Sequence, residues 1–168
     1  GRLSSEKHMR WVIEAVVEAK KSISDLSLDI YGEGSEENRL REKIAELNCK
    51  EYVHLCGFQK LDDVYQKYDA YVSASWVETL GVTLLEAVGS GLPLVGFDIP
   101  YGMQAFVDEG KNGYKFSWGD VKGLSEGIVR LFTEADLGAF RRHSYEKAKC
   151  YFREELERRW KDVLCQKM

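Results

Sequence analysis

The sequence predicts an α/β domain, a parallel β-sheet wrapped by helices on both sides. Three observations predict it. Short apolar stretches alternate along the chain with longer stretches of helical period. One short stretch, Leu94 to Phe97, carries no charge at all, as a strand covered on both faces requires. The chain has 168 residues, 44% hydrophobic and 31% charged, which fits one domain with a full core and leaves little room for a second.

The elements follow in order. Met9, Val12, Ile13, Val16 and Ile23 recur near helical spacing and predict a helix over Ser5 to Ser22. Leu26, Leu28 and Ile30 alternate in a strand over Leu26 to Tyr31 that stops at Gly32-Glu33-Gly34. Leu40, Ile44 and Leu47 mark a second helix, and Tyr52 to Cys56 a short strand stopped by Gly57. Leu61, Val64, Tyr65 and Tyr68 predict a third helix, with Asp62 and Asp63 in the first turn, where the helix dipole favours acids. Ala70 to Ala74 reads as a strand, Val82 to Val88 as a helix ended by Gly89 to Pro93, and Leu94 to Phe97 as the next strand. A short helix over Gly102 to Asp108, a turn at Lys111-Asn112-Gly113 and a strand at Tyr114 to Phe116 follow. Val121, Leu124, Ile128, Leu131 and Phe132 define another helix, and the last 30 residues are helical, with Phe152, Leu156, Trp160 and Val163 on one stripe. Right-handed crossovers between such strands give a doubly wound, Rossmann-like sheet. That fold wants a central strand before the Gly1-Arg2 loop, so the expectation is a single domain over residues 1–168 that is a fragment of a larger protein.

Composition narrows the function. Twenty-four basic and 28 acidic residues give a net charge of -4, which argues against a nucleic-acid surface while allowing a local cationic site for a phosphorylated small molecule. No apolar run reaches the ~18 residues that span a bilayer, and the polar start shows no signal peptide, so a cytoplasmic location is expected. Cys49, Cys56, Cys150 and Cys165 form no C-x-x-C pair and have no His at ligand spacing, which reads as four reduced thiols, with a structural disulfide as the alternative. No G-x-G-x-x-G run exists to bind a dinucleotide. Trp11, Phe132, Phe152 and Trp160 read as core or interdomain packing, and Tyr101 and Trp118, in loops, read as core with a ligand-facing place as the alternative. His8, His54 and His143 are scattered and take no role.

Ligands of open parallel sheets bind at the carboxyl ends of the strands. The polar residues predicted there are Arg2 and Lys7, the Gly32-Glu33-Gly34 turn, Gly57-Phe58-Gln59, and Glu78 to Glu86. Arg2 and Lys7 frame a loop into a helix start, where two cations and free N–H groups suit a diphosphate. Taken alone, R-x4-K is a weak pattern that reads more readily as two solvated charges. Glu78-Thr79-Leu80-Gly81-Val82-Thr83-Leu84-Leu85-Glu86 puts one acid in a loop and another one to two turns into a helix that should be largely buried. Gly81 lets backbone approach a ligand, and the N–H groups of Leu80 to Thr83 point from the helix start toward an anion. A buried Glu86 would need a partner, and ligand hydroxyls would serve; an exposed helical glutamate is the plain alternative.

Taken together, Arg2, Lys7 and the E-x7-E pair Glu78/Glu86 resemble the donor-binding half of retaining GT-B glycosyltransferases of family 4. Gly-Glu-Gly at 32–34, Glu-Ala-Val-Gly-Ser-Gly-Leu-Pro-Leu-Val at 86–95 and Asp-Glu-Gly-Lys-Asn-Gly-Tyr at 108–114 strengthen the resemblance. It covers roughly Gly1 to Phe132 and extends more weakly to the closing helix. Gly-Arg-Leu-Ser-Ser-Glu-Lys-His, Asp-Ile-Tyr-Gly-Glu-Gly and Glu-Ala-Val-Gly-Ser-Gly resemble more narrowly the bacterial enzymes that place N-acetylglucosamine on serine-rich adhesins. Glucosyltransferases of poly(glycerol phosphate) teichoic acid share the pattern.

The resemblance implies roles for single positions. Arg2 and Lys7 would hold the donor diphosphate and stabilise departing UDP. Glu78 would contact the transferred sugar near its 3-hydroxyl, and Thr79, Leu80, Gly81, Val82 and Thr83 would surround sugar or phosphate. Glu86 would hold the ribose, and Phe58 and Gln59 would face the base. The implied donor is UDP-GlcNAc or UDP-glucose, with no separate cofactor. The sequence has no D-x-D, so a metal bridging the diphosphate is not suggested. Implied partners are an N-terminal acceptor-binding domain, an acceptor protein or polymer, and a membrane surface touched through the other half. A nucleotide-sugar-binding module without catalysis is the alternative from another class. The match departs at Thr79-Leu80-Gly81, where the family often has Gly-Phe-Gly or Ser-Phe-Gly, and near Pro100-Tyr101, where it often has Pro-Glu.

Overall fold

The computed structural model describes residues 1–60 and 64–165. Five strands, β1 (Leu28–Tyr31), β2 (Val53–Gly57), β3 (Tyr71–Ser73), β4 (Leu94–Phe97) and β5 (Gly113–Phe116), alternate with helices. The helices are α1 (Met9–Ala19), α2 (Glu37–Glu46), α3 (Val82–Gly89), α4 (Met103–Phe106), α5 (Val121–Thr133), α6 (Leu137–Ala148) and α7 (Arg153–Cys165). Every strand pairing is parallel, as the sequence predicts. The ladder comes in two pieces, β1-β2 and β3-β4-β5. α1 packs on α5 and α2, while α3 packs on α6 and α4.

Local chemistry sets the boundaries. The helix expected over Ser5 to Ser22 is a 3-10 turn at Ser5–Lys7 followed by α1, because His8 takes a left-handed conformation (φ 45) between them. Its ring stacks on Trp11 at 4.3 Å, and Trp11 meets Phe97 edge-on, so the break is fastened to the core. Helix α3 ends in a Schellman arrangement: the Gly91 N–H donates to the Val88 carbonyl and that of Leu92 to Ala87, with Gly91 at φ 77. Asp120 and Asp136 cap α5 and α6 by accepting from the N–H groups of Gly123 and Ala139.

The core centres on β4, all four residues of which are buried, with Phe97, Phe106, Leu84 and Leu124 among the fully enclosed side chains. The helix expected from Leu61 to Tyr68 shows only a 3-10 turn at Tyr65–Lys67, and Leu61, Asp62 and Asp63 lie outside the described residues. Trp11 and Phe132 pack against the core as expected. Trp160 does not join the core, because α7 buries none of its residues, and Phe152, Tyr101 and Trp118 are likewise exposed and outside it. All four cysteines are free thiols. Among the described residues no helix is long and apolar enough to cross a membrane.

Candidate functional site

The N-terminal loop, the turn after β3 and the start of α3 meet at the carboxyl end of the strands, where they line the mouth of a cavity of about 680 Å3. Arg2, Lys7, Glu78, Thr79, Gly81, Val82 and Thr83 all face it. The Glu6 carbonyl accepts from the Trp76 N–H at 3.1 Å, which fixes the N-terminal segment beside the turn carrying Glu78.

The central contact joins two residues 71 positions apart. Lys7 Nζ donates to Glu78 Oε1 at 2.6 Å, with the side chains 23% and 13% exposed. A pair this sheltered is charge-assisted and costly to break from one side only. An ammonium has three N–H donors, so Lys7 keeps two for an anion while holding Glu78. Gly102 presses on the other flank of Glu78: a Cβ there would stand 3.1 Å from the Glu78 Cβ. Arg2 is exposed at the mouth.

Gly81 caps α3 with φ 69 and ψ 55, a conformation that favours glycine. Its carbonyl accepts from the N–H groups of Leu84 and Leu85, which leaves those of Val82 and Thr83 pointing out of the helix start. The Thr83 hydroxyl accepts from Tyr71 at 3.0 Å. Leu80 lies at the same turn, exposed, but does not line the cavity.

Glu86 departs from expectation. It is exposed, the plain alternative, and does not line the cavity, because it sits on the outer face of α3 whose inner face is Leu84, Ala87 and Val88. Its partner in the structure is the Tyr65 hydroxyl, which donates to Oε2 at 2.8 Å. Burial, and then the Glu86 acceptor, push the Tyr65 phenol far above its ordinary value, so it remains a donor across the whole working range.

Other expected residues are arranged for other reasons. Gln59 is exposed, donates to the Cys56 carbonyl and does not line the cavity; Phe58 is exposed beside it. The structure therefore does not bring Gln59 to the Lys7–Glu78 centre. Gly32 and Gly34 leave room for protein backbone: a Cβ on Gly32 would collide with the Gly1 carbonyl, and one on Gly34 with that of Leu3. The 108–114 segment is a brace. Buried Asn112 donates to the Phe106 carbonyl and Ser144 hydroxyl, and Asp108 binds His143 at 2.7 Å and Lys147 at 2.7 Å on α6. His143 thus has a structural partner that scattered spacing did not reveal.

Tyr65, Tyr71 and Gly102 are the site residues that sequence reasoning missed. Tyr65 was visible only as an apolar helical position, and Gly102 only as a helix boundary. A second polar network lies along β1, where Tyr68 donates to Asp29 at 2.6 Å and His54 meets the same carboxylate at 2.8 Å. Burial works to raise the Asp29 carboxyl, but these two hydrogen bonds hold it below its ordinary value.

The arrangement offers cations, helix-start N–H groups and two acceptors spaced along one turn and helix, a set suited to a phosphorylated, hydroxyl-rich ligand. Comparison with known proteins agrees in kind. The family described as glycosyl transferases group 1 matches residues 1–134. The chain is 45% identical over 170 residues to a UDP-N-acetylglucosamine--peptide N-acetylglucosaminyltransferase GtfA subunit of Limosilactobacillus reuteri, the match covering 97% of this chain and 33% of the relative. It is 28% identical over 167 residues to a poly(glycerol-phosphate) alpha-glucosyltransferase of Bacillus subtilis, covering 98% of this chain and 25% of that one. The crystal structure of the pneumococcal O-GlcNAc transferase GtfA in complex with UDP and GlcNAc superposes with a TM-score of 0.92 at 40% identity, covering 98% of this chain and 34% of that chain. The chain thus spans about a third of the length of these GtfA relatives.

Proposed function

The chain belongs to the glycosyl transferases group 1 family, and from that premise we propose that it is the donor-binding half of a retaining glycosyltransferase. The reaction moves N-acetylglucosamine from UDP-GlcNAc to serine or threonine hydroxyls of a bacterial adhesin in the cytoplasm. The observation that carries the reading is the 2.6 Å Lys7–Glu78 pair at the mouth of the cavity, beside the open start of α3.

Each group then has a task. Arg2 grips the diphosphate from the exposed side, where its planar fork fits phosphate oxygens. Lys7 offers the donors that Glu78 leaves free, and its charge stabilises the phosphate as the sugar–oxygen bond breaks. The N–H groups of Val82 and Thr83 add to the same anion site. Glu78, clamped by Lys7 and backed by Gly102, accepts from a sugar hydroxyl and positions the ring. Glu86 accepts from the ribose hydroxyls, with Tyr65 aiming its carboxylate. In a retaining front-face reaction the leaving phosphate takes the acceptor proton, so Glu78 positions and need not attack. The acceptor is bound by a further, N-terminal domain, and transfer needs the closed cleft between the two.

The 45% identity to a GtfA subunit, against 28% to the poly(glycerol-phosphate) enzyme, favours the peptide acceptor over teichoic acid. Calorimetric titration of UDP, UDP-GlcNAc and UDP-glucose tests the donor. Tighter binding of UDP-GlcNAc than of UDP-glucose is expected. No binding of any of the three would overturn the proposal.

A further inference from the structure

Three side-chain donors meet the turn and helix that carry the site. Lys7 donates to Glu78 at 2.6 Å, Tyr65 to Glu86 at 2.8 Å, and Tyr71 to the Thr83 hydroxyl at 3.0 Å. The first two acceptors are carboxylates, which only accept when ionised. The third is a hydroxyl, which accepts and also has a proton to give.

Burial fixes the direction of the Tyr71–Thr83 bond. Tyr71 is half-buried as a residue, but its hydroxyl lies at the enclosed end and has no other partner among the described residues. Donation from Thr83 would enclose a phenol proton without an acceptor, so Tyr71 is the donor. Burial holds the phenol above its ordinary value against the opposing pull of the Thr83 bond, and the charges of Glu78 and Glu86 add to burial. The proton therefore stays on Tyr71.

The Thr83 proton must go elsewhere. A threonine inside a helix can direct it to the carbonyl four residues back, as Thr133 does to Val129 at 2.8 Å in α5. Thr83 is the second residue of α3, preceded by the left-handed Gly81, so no helical residue stands four places before it. Among the described residues its hydroxyl donates to no protein group. Thr83 lines the cavity with Arg2, Lys7 and Val82, and its own backbone N–H is one of those left free at the helix start.

We propose that Tyr71 is a positioning residue for the UDP diphosphate: by donating to the Thr83 oxygen it turns the Thr83 hydroxyl into a donor toward the anion bound by Lys7 and the start of α3. The inference rests on the proposed UDP-sugar site and deepens it. A phosphate oxygen offers lone pairs and no proton, so it matches a hydroxyl held as a donor. Accepting from the phenol also polarises the Thr83 hydroxyl and strengthens the bond that it gives.

Titration of the full-length protein tests this with two ligands, UDP by calorimetry and uridine by ligand-detected NMR. Thr83→Val keeps the side-chain shape and removes the hydroxyl. It should bind UDP about 10-fold more weakly, the worth of a hydrogen bond to a charged group, and bind uridine as wild type does. Thr83→Ser should restore UDP affinity. Tyr71→Phe should weaken UDP by a smaller factor, and by no further factor once residue 83 carries no hydroxyl. Thr83→Val also strands the phenol proton, so its Tm should fall. Adding Tyr71→Phe should recover the Tm without recovering UDP affinity, and this double variant gives the answer even where Thr83→Val folds poorly. Three results overturn the proposal and leave the UDP-sugar site standing. They are wild-type UDP affinity in Thr83→Val or the double variant, a Tyr71→Phe effect that is absent or equal in both backgrounds, and uridine weakened as much as UDP. Failure of the wild-type protein to bind UDP overturns the site itself, and the role of Tyr71 with it.

Discussion

Two glutamates eight residues apart are held in place by different means. Glu78 lies in a loop, yet it is the more constrained: 13% exposed, bound to Lys7 and backed by Gly102. Glu86 lies in a helix, yet it is exposed and held by a single neutral donor, Tyr65. The loop residue owes its order to long-range charge pairing, the helical one to its backbone. A group fixed by an ion pair suits selection of one sugar geometry. A group on a rigid helix with a free flank suits a moiety shared by every UDP species. Specificity is therefore expected at Glu78 and general affinity at Glu86.

The largest effect should come from breaking the ion pair. Lys7→Ala removes a phosphate donor and strands a sheltered carboxylate, so UDP affinity should fall about 10- to 100-fold by calorimetry, with a lowered Tm. Adding Glu78→Ala should recover the Tm but not the affinity. Recovery of both would mean that Lys7 serves only to neutralise Glu78. Arg2→Ala should weaken UDP by a similar or smaller factor, since an exposed phosphate contact is worth up to ~3 kcal/mol. An unchanged dissociation constant at Arg2 would place the diphosphate elsewhere.

A smaller effect is expected on the Glu86 side. Tyr65→Phe removes one hydrogen bond of about 1 kcal/mol, which should raise the KM for donor several-fold while leaving kcat close to wild type. A fall in kcat with unchanged KM would assign Tyr65 to the chemistry.

The smallest effect belongs to a carboxylate outside the site. Hydrogen bonds from His143 and then Lys147 hold the Asp108 carboxyl below its ordinary value. A depressed folded value gives stability that is complete above the unfolded value of about 3.9 and is lost as pH falls through the folded one. Asp108 is 41% exposed, so solvent screening limits the contribution to roughly 1 kcal/mol or less. Thermal melts from pH 7 to pH 3 should show wild type losing its small advantage over Asp108→Asn, with ligand affinity untouched in both.

Much of the fold could be read because local periodicity and capping agree with the tertiary result. Val82–Gly89, Leu94–Phe97 and Val121–Thr133 fall within a residue or so of their apolar patterns. The misses are long-range. His8 breaks the first helix through its left-handed conformation, with a ring stacked on Trp11, which no local pattern encodes. The site was legible as residue types at strand ends, so Arg2, Lys7, Glu78 and Gly81 to Thr83 gather there. What was not legible is pairing across the chain. Lys7 with Glu78 spans 71 positions, and Tyr65 with Glu86 spans 21. The sequence places the glycines at 32 and 34 among the ligand-facing residues, but their missing Cβ atoms admit Gly1 and Leu3.

The contrast between the two glutamates is tested most directly by titrating UDP and UDP-GlcNAc against Glu78→Ala and Glu86→Ala in the full-length protein. Glu86→Ala should weaken both ligands by about 10-fold or more, the worth of a hydrogen bond to a charged acceptor. Glu78→Ala should leave UDP binding unchanged while erasing the advantage of UDP-GlcNAc over UDP. Loss of bare UDP binding in Glu78→Ala as large as that in Glu86→Ala would contradict the division of roles.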